Sequence, residues 1–423
     1  MRGPDQTPWL VAAIAALITV GTLFAVGPWS APIPIVANVP LEMAQPLPGV
    51  DVGGTRMPVG ILFTSAPKFQ LGLIDPTGGG SMTFATIDSA GTNFALGTIG
   101  ELATGQIGGS YVTSGFDLRF WTCSPPCNSV STFPIETAQT WIDSSSASTG
   151  GEFLVGGLNN STGAYHIFSS TNGSSWTPFR TLSPAGGIYR NFDGGERVAL
   201  AVEEGGTETI AHNCVFYEVP TRGPATEKRI NCANGTTPVA DVLVIGDVED
   251  PLGQAGPLIE NRFFMEGGMV WGVFTRRQDG LLYAMTYLPG GTPVVIPLGT
   301  APTGTEFFGL TMTGRLTYYP TKHLALMGEP GLQLIHQVDD DPFQLSATGP
   351  GPSQALEGPI ALAPSPPGCL GTDCTQLWGA NFHFWFNLAE GAVSGLGLAS
   401  KALPMFEDGF ETNDTDRWSS TVP

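Results

Sequence analysis

The chain has 423 residues, 42% hydrophobic and only 13% charged, with 57 glycines and 36 prolines. That apolar share is enough for a core and excludes a disordered polymer, while glycine without a Gly-X-Y period excludes collagen. With 17 basic residues against 37 acidic ones the net charge is −20, which repels phosphate backbones and anionic bilayer surfaces and so excludes nucleic acid as a partner.

In chain order, residues 9–26 (WLVAAIAALITVGTLFAV) form an uncharged apolar run of 18 residues. This predicts one N-terminal hydrophobic helix, either a cleaved signal peptide or an uncleaved signal anchor, within residues 1–26. Any attachment to a membrane is confined to this segment. Prolines at 28, 32, 34, 40, 46 and 48 then predict an extended spacer over residues 27–57.

From residue 58 one grammar repeats: a short run of β-formers, a Gly, Pro or Asn turn, and another run. VGILFT, FQLGLI and SMTFATI fill 59–87, and IGGSYV, FDLRFWT and NSVSTFP fill 107–134. GEFLVGGL, AYHIFSS and WTPFRTL follow, the last two joined through Asn172-Gly173, a strong hairpin signal. VALAVE, MVWGVFTR, LLYAMTYL, HLALM, LQLIHQV and VSGLGL continue the series. Central turns near 67, 114, 161, 206, 279, 329 and 370 lie 41–50 residues apart, except for one gap of 73. A period of that length built from three or four strands predicts an all-β fold, a β-propeller of seven blades over residues 58–400, with six or eight as neighbouring counts.

The six cysteines fall into three local pairs, predicting disulfides Cys123–Cys127, Cys214–Cys232 and Cys369–Cys374, each inside one repeat. Zinc is the poorer reading, because no C-x-x-C occurs and the short pairs lie far apart.

Ser169-Ser-Thr-Asn-Gly-Ser-Ser-Trp176 resembles the Asp-box hairpin of sialidase-type propellers, whose pattern is Ser-x-Asp-x-Gly-x-x-Trp. Ser169, Gly173 and Trp176 match; Thr171 stands at the Asp position, and Asn172 can supply the acceptor from the next one. The resemblance implies a structural turn, with a polar side chain bonding turn amides and the Trp packed between strands, and implies no catalysis. A sialidase-like site implies three arginines clamping a carboxylate, beside a tyrosine–acid pair. The Arg-Ile-Pro signature of that family is absent here.

Other chemistry leaves little trace. G-x-S-x-G, the phosphate-loop pattern and H-E-x-x-H do not occur. The five histidines (166, 212, 323, 336, 383) lie in predicted strands without a repeated spacing and read as satisfied core or groove residues. Asp247, Glu249 and Asp250, and Asp339, Asp340 and Asp341, form two acidic clusters. They are candidate calcium ligands by oxygen content, weighed against solvated turn acids, and calcium is the one cofactor they admit. Phe382, His383, Phe384, Trp385 and Phe386 read as packing between sheets rather than a carbohydrate platform.

The acidic tail, residues 401–423, contains Phe406, Asp408, Gly409, Phe410, Glu411, Thr412, Asp414, Trp418 and Ser419. It resembles an F-x-D-G-F-E-x-x-D-x-x-x-W-S ending found on otherwise unrelated exported bacterial proteins. Together these features point to an exported, monomeric binding or interaction scaffold at or outside the cell surface, with a protein or glycan ligand and no catalytic residue assigned. The alternative is a glycosidase-like enzyme with its site in a central funnel.

Overall fold

The computed structural model describes residues 99–149, 151–188, 198–204, 210–222, 224–248, 262–266, 268–276 and 278–300, with shorter strand segments between 33 and 96 and between 307 and 402. The predicted N-terminal helix, the tail from 403 onward, Glu249, Asp250, Asp339, Asp340, Asp341, Cys369 and Cys374 lie outside the described residues. Among the described residues every regular element is a β-strand, and no helix is long and apolar enough to cross a membrane.

The strands form antiparallel meanders in chain order. The segment β1 (Ile33–Ala37) stands apart and is taken up below. The first meander is β2–β5 (Leu41–Pro46, Val59–Ser65, Lys68–Ile74, Met82–Asp88). The second is β6–β10 (Thr92–Leu96, Gly100–Glu101, Ile107–Thr113, Leu118–Cys123, Ser131–Glu136), in which β6 and the short β7 both pair β8. Then come β11–β14 (Trp141–Ser148, Phe153–Asn159, Tyr165–Ser170, Thr177–Leu182) and β15–β18 (Ala199–Glu204, Ile210–Pro220, Ala225–Asn234, Thr237–Val248). They are followed by β19–β22 (Arg262–Glu266, Met269–Arg276, Leu281–Tyr287, Val294–Thr300) and β23–β26 (Phe307–Met312, Thr321–Met327, Gln333–Val338, Gln344–Ser346). The last sheet has the order β27 (Ala361–Ser365), β28 (Asn381–Glu390), β29 (Val393–Ala402), β1. Seven sheets result.

The first strands of successive sheets neighbour one another: β11 lies against β8 and β15, β15 against β19, β19 against β23, and β27 against both β23 and β2. Consecutive meanders packed in this way make an all-β, propeller-type fold. Among the described residues the 73-residue gap in the turn spacing holds no extra sheet. It is occupied by β16, β17 and β18, which run 11, 10 and 12 residues where most other strands run 5–8.

One expectation is corrected. The segment 27–57 is not only a spacer, since β1 pairs β29 (Ile33 opposite Leu398) and β2 pairs β3 (Pro46 opposite Val59). Its prolines misled because both strands are the edges of their sheets, where a missing N–H need not interrupt the ladder. The body correspondingly begins well before 58, and β29 runs to Ala402.

Apolar side chains alternate between neighbours. In the β11–β14 sheet Phe153, Val155 and Phe168 pack toward Val112, Leu118 and Phe120 of the preceding sheet. Leu154, Leu158 and Ile167 pack toward Val198, Leu200, Val215 and Tyr217 of the following one. Beyond it, Phe216 and Ile230 pack with Met265, Val270 and Phe274. Strands covered on both faces are apolar at successive positions, which is why FLVGGL and CVFY read as continuous runs.

Polar ties reinforce this stacking. Ser110 and Ser144 bond at 3.3 Å between the second and third meanders, and the Glu101 N–H donates to Ser148 Oγ at 2.8 Å. In the long sheet, Lys228 stands opposite Glu218 and Thr226 opposite Asp247. Lys228 Nζ reaches Glu218 Oε2 at 3.1 Å and Asp247 Oδ2 at 3.3 Å, all three side chains being buried. Asp247 Oδ1 also accepts the Val248 N–H at 2.8 Å and, from the next sheet, the Gln278 N–H at 3.0 Å. Arg276 Nε answers by donating to the Gly246 carbonyl at 2.8 Å.

Two outcomes are expected. A chain starting at residue 58 lacks β1 and β2 and uncovers the edges of β3 and β29, so it should melt at least several degrees below a chain starting at residue 31. Equal melting curves would show that these strands add nothing. Lys228→Met leaves two buried carboxylates without their cation and should destabilise by about 3–5 kcal/mol in denaturant titration; a change within ±0.5 kcal/mol, the range of an inert surface substitution, would refute the tie.

Candidate functional site

The seam between the β11–β14 and β15–β18 sheets gathers the chemistry-bearing side chains best. Tyr217 on β16 and Arg229 on β17 are directly opposite in the ladder, and Asp241 on β18, opposite Asn231, reaches both diagonally. The Tyr217 hydroxyl contacts both Asp241 carboxylate oxygens, at 3.0 and 2.9 Å. Arg229 Nε donates to Asp241 Oδ1 at 3.0 Å, and its Nη1 donates to Glu227 Oε2 at 2.9 Å. Burial first, and then Asp241, hold the Tyr217 hydroxyl well above the ordinary phenol range. It is therefore a donor at every physiological pH.

Arg180 reaches this seam from β14. Its Nη2 donates to the Asn231 carbonyl at 3.3 Å, whereas Nε and Nη1 are buried and find no acceptor among the described residues. Burial draws the guanidinium down to about 10, against the opposing pull of Tyr217, Tyr165 and Asp241. A buried cation with spare donors costs stability in a folded protein unless something else uses it. Neither Arg180 nor Tyr217 was legible as a site residue from sequence. The available signal was weak: an arginine at a half-buried position of WTPFRTL and a tyrosine in an otherwise apolar CVFYEV run.

The sequence-predicted residues are distributed differently. Asp247 is held by Lys228 and two amides, as described above, and among the described residues no group of three His, Cys, Asp or Glu side chains could hold a metal. Cys123–Cys127 and Cys214–Cys232 are disulfides, the second joining directly opposed residues of β16 and β17. His166 meets the edge of Trp141 with ring centroids 5.5 Å apart, and Thr181 Oγ1 lies 3.3 Å from its Nδ1. Burial lowers its pKa.

The turn between β13 and β14 is organised by Asn172. Its Oδ1 accepts the N–H groups of Ser174 and Ser175 at 2.9 and 3.0 Å, and the Ser174 hydroxyl at 3.0 Å. Ser170 Oγ accepts the Gly173 N–H at 2.8 Å, with Gly173 at φ 70°. Ser169 instead pairs with Thr177 across the strands, at 3.4 Å between hydroxyls. Trp176 Nε1 donates to the Gly173 carbonyl at 3.3 Å, and its ring meets Phe120 of the preceding sheet edge-on, with centroids 4.8 Å apart. Gln106 Nε2 also donates to the Asn172 carbonyl at 3.2 Å. The turn is thus a clasp between sheets.

No family model and no curated protein matches the chain. Its structure is similar at low identity to several solved ones. The WD40 domain of Toxoplasma gondii coronin is 9% identical over 90% of both chains, with a TM-score of 0.47. A mutant of the Aleuria aurantia lectin in complex with Fucalpha1-6GlcNAc is 12% identical over 74% of this chain and 96% of its own, with a TM-score of 0.42. The Trypanosoma rangeli sialidase is 10% identical over 84% of this chain and 59% of its own, with a TM-score of 0.41.

Proposed function

We propose that this chain is an exported binding scaffold: a seven-bladed propeller, closed by β1 on β29, that recognises a protein or glycan and does not transform it. Residues 9–26 direct export, the acidic tail lies outside the blades, and the Asn172 turn is an Asp-box variant with a structural role. The two disulfides are consistent with an oxidising compartment.

The observation that carries this reading is Arg180. Its neighbours Tyr217, Asp241, Arg229 and Glu227 are paired among themselves, so the seam is a preorganised polar frame. Arg180 alone of this group combines burial, a lowered pKa and two donors without acceptors among the described residues. A group that lowers stability without a structural task is characteristic of a recognition surface. A ligand oxygen from a carboxylate or a sugar hydroxyl, admitted by a shift of the Arg180 side chain, would satisfy those donors. The seam reaches solvent at Asp241, whose side chain is 42% exposed.

Two measurements on one variant test it. Arg180→Met removes the buried charge but keeps most of the side-chain volume. It should leave the melting temperature unchanged or raised, while weakening a ligand found on a glycan or protein array at least roughly tenfold. A melting temperature that falls with binding intact would make Arg180 structural and sink the proposal. Turnover in a glycosidase substrate panel would favour the enzyme reading instead.

A further inference from the structure

The chain contains two Asn-Gly pairs, Asn172-Gly173 and Asn234-Gly235, both at hairpin turns, and the structure holds them in opposite states. We propose that Asn234 is a site of spontaneous backbone-assisted deamidation, activated by His212, while Asn172 is locked against the same reaction. This inference is independent of the binding function.

In the reaction the Gly amide nitrogen attacks the Asn Cγ and loses its proton. The Cγ–Nδ2 bond breaks, and ammonia leaves with that proton. Water then opens the resulting succinimide to aspartate or isoaspartate. The step requires a free Gly N–H, a mobile carboxamide and a polarised carbonyl. Glycine is the favoured second residue because it lacks a Cβ to obstruct the approach.

Asn234 meets the first and the third, and its carboxamide is held at one contact only. It is the exposed last residue of β17, and Gly235-Thr236 form a two-residue turn before Thr237, its partner in the ladder. Gly235 lies at φ 52°, nothing approaches within 4 Å of where its Cβ would be, and among the described residues no hydrogen bond engages its N–H. His212, opposite Asn234 in the ladder, places Nδ1 in hydrogen-bond contact with Asn234 Oδ1. A proton on that nitrogen polarises the carbonyl toward attack and leaves the Nδ2 leaving group unhindered. Asn213 Nδ2 meanwhile anchors the Gly235 carbonyl at 2.7 Å, fixing the turn without restraining its N–H.

Asn172 meets only the third. Its Oδ1 accepts four turn donors, which polarise the carbonyl but pin the carboxamide, the Gly173 N–H is held by Ser170 Oγ at 2.8 Å, and a Cβ at Gly173 would lie 3.0 Å from the Phe120 ring. Cyclisation there requires opening the clasp. Conversion at Asn234 adds one negative charge beside His212, and the isoaspartyl product inserts a methylene into the backbone at the tip of the longest hairpin.

The experiment ages the purified full chain at mildly alkaline pH and follows both sites by peptide mapping with isoaspartate detection, beside a sample aged in denaturant. Opening about two net hydrogen bonds at Asn172 sets the expected difference, on the order of tenfold faster conversion at Asn234 in the folded chain. The two sites should convert at similar rates in denaturant. Ser170→Ala should raise the rate at Asn172, and His212→Ala should lower the rate at Asn234 in the folded chain only. Equal rates at the two sites in the folded chain, or Asn234 slower there than in denaturant, would overturn the proposal. An unchanged rate in His212→Ala would overturn the role given to His212.

Discussion

Each sheet between β6 and β18 is covered on both faces by its neighbours, and the remaining features follow from that constraint. A strand between two apolar neighbours cannot send polar side chains to one side, so β12 and β16 carry large apolar groups at successive positions. Where an aromatic ring lies across the neighbouring strand of its own sheet, the residue beneath it must shrink: a Cβ at Gly156 on β12 would overlap the Tyr165 ring from β13, and one at Gly272 on β20 the Phe263 ring from β19. These glycines replace bulk with ring area at no loss of packing density.

The same constraint determines what ionisable groups can do. A charge that falls between sheets must find a partner there, and the partners found span strands or sheets: Tyr217 with Asp241, Lys228 with Glu218 and Asp247, Tyr111 with Asp88 of the preceding meander. The Tyr111 hydroxyl, like that of Tyr217, is held far above the phenol range by burial and an adjacent carboxylate. Such ties contribute modestly to stability relative to an apolar replacement but strongly penalise a slipped register, because slippage strands a buried charge. A series of similar sheets has many near-equivalent registers, and ties of this kind distinguish them.

Much of the architecture was legible because its signals are local. Strand runs such as VGILFT, FLVGGL and MVWGVFTR, the turn at Asn172-Gly173 and the pairing of Cys123 with Cys127 or Cys214 with Cys232 all lie within a few residues of their partners. What was illegible is long-range. The strand β1 reads as a proline-rich linker until it is placed against β29, some 360 residues later. The seam cluster draws Arg180, Tyr217 and Asp241 from three strands of two sheets, and no spacing rule links them. Asp247 illustrates the converse error. In sequence it belongs to an acidic run with Glu249 and Asp250, yet its carboxylate is buried against Lys228, a partner 19 residues earlier that only the β17–β18 register brings near.

The β15–β18 sheet concentrates these devices, and its length explains why. Strands of 10–12 residues extend beyond the cover available from neighbours of ordinary length, so their outer portions need internal reinforcement. The Cys214–Cys232 bridge supplies it toward the Asn234 end, contributing about 3 kcal/mol by loop entropy, and the Lys228 trio supplies it toward the opposite end. Between them, Tyr217, Arg229 and Asp241 occupy the face turned to Arg180. Rigid ends with a polar row between them fix the side chains of that row in one arrangement, each held by partners on neighbouring strands. Within this frame Arg180 differs from its neighbours in kind: they stabilise one another, whereas two of its donors find no acceptor among the described residues.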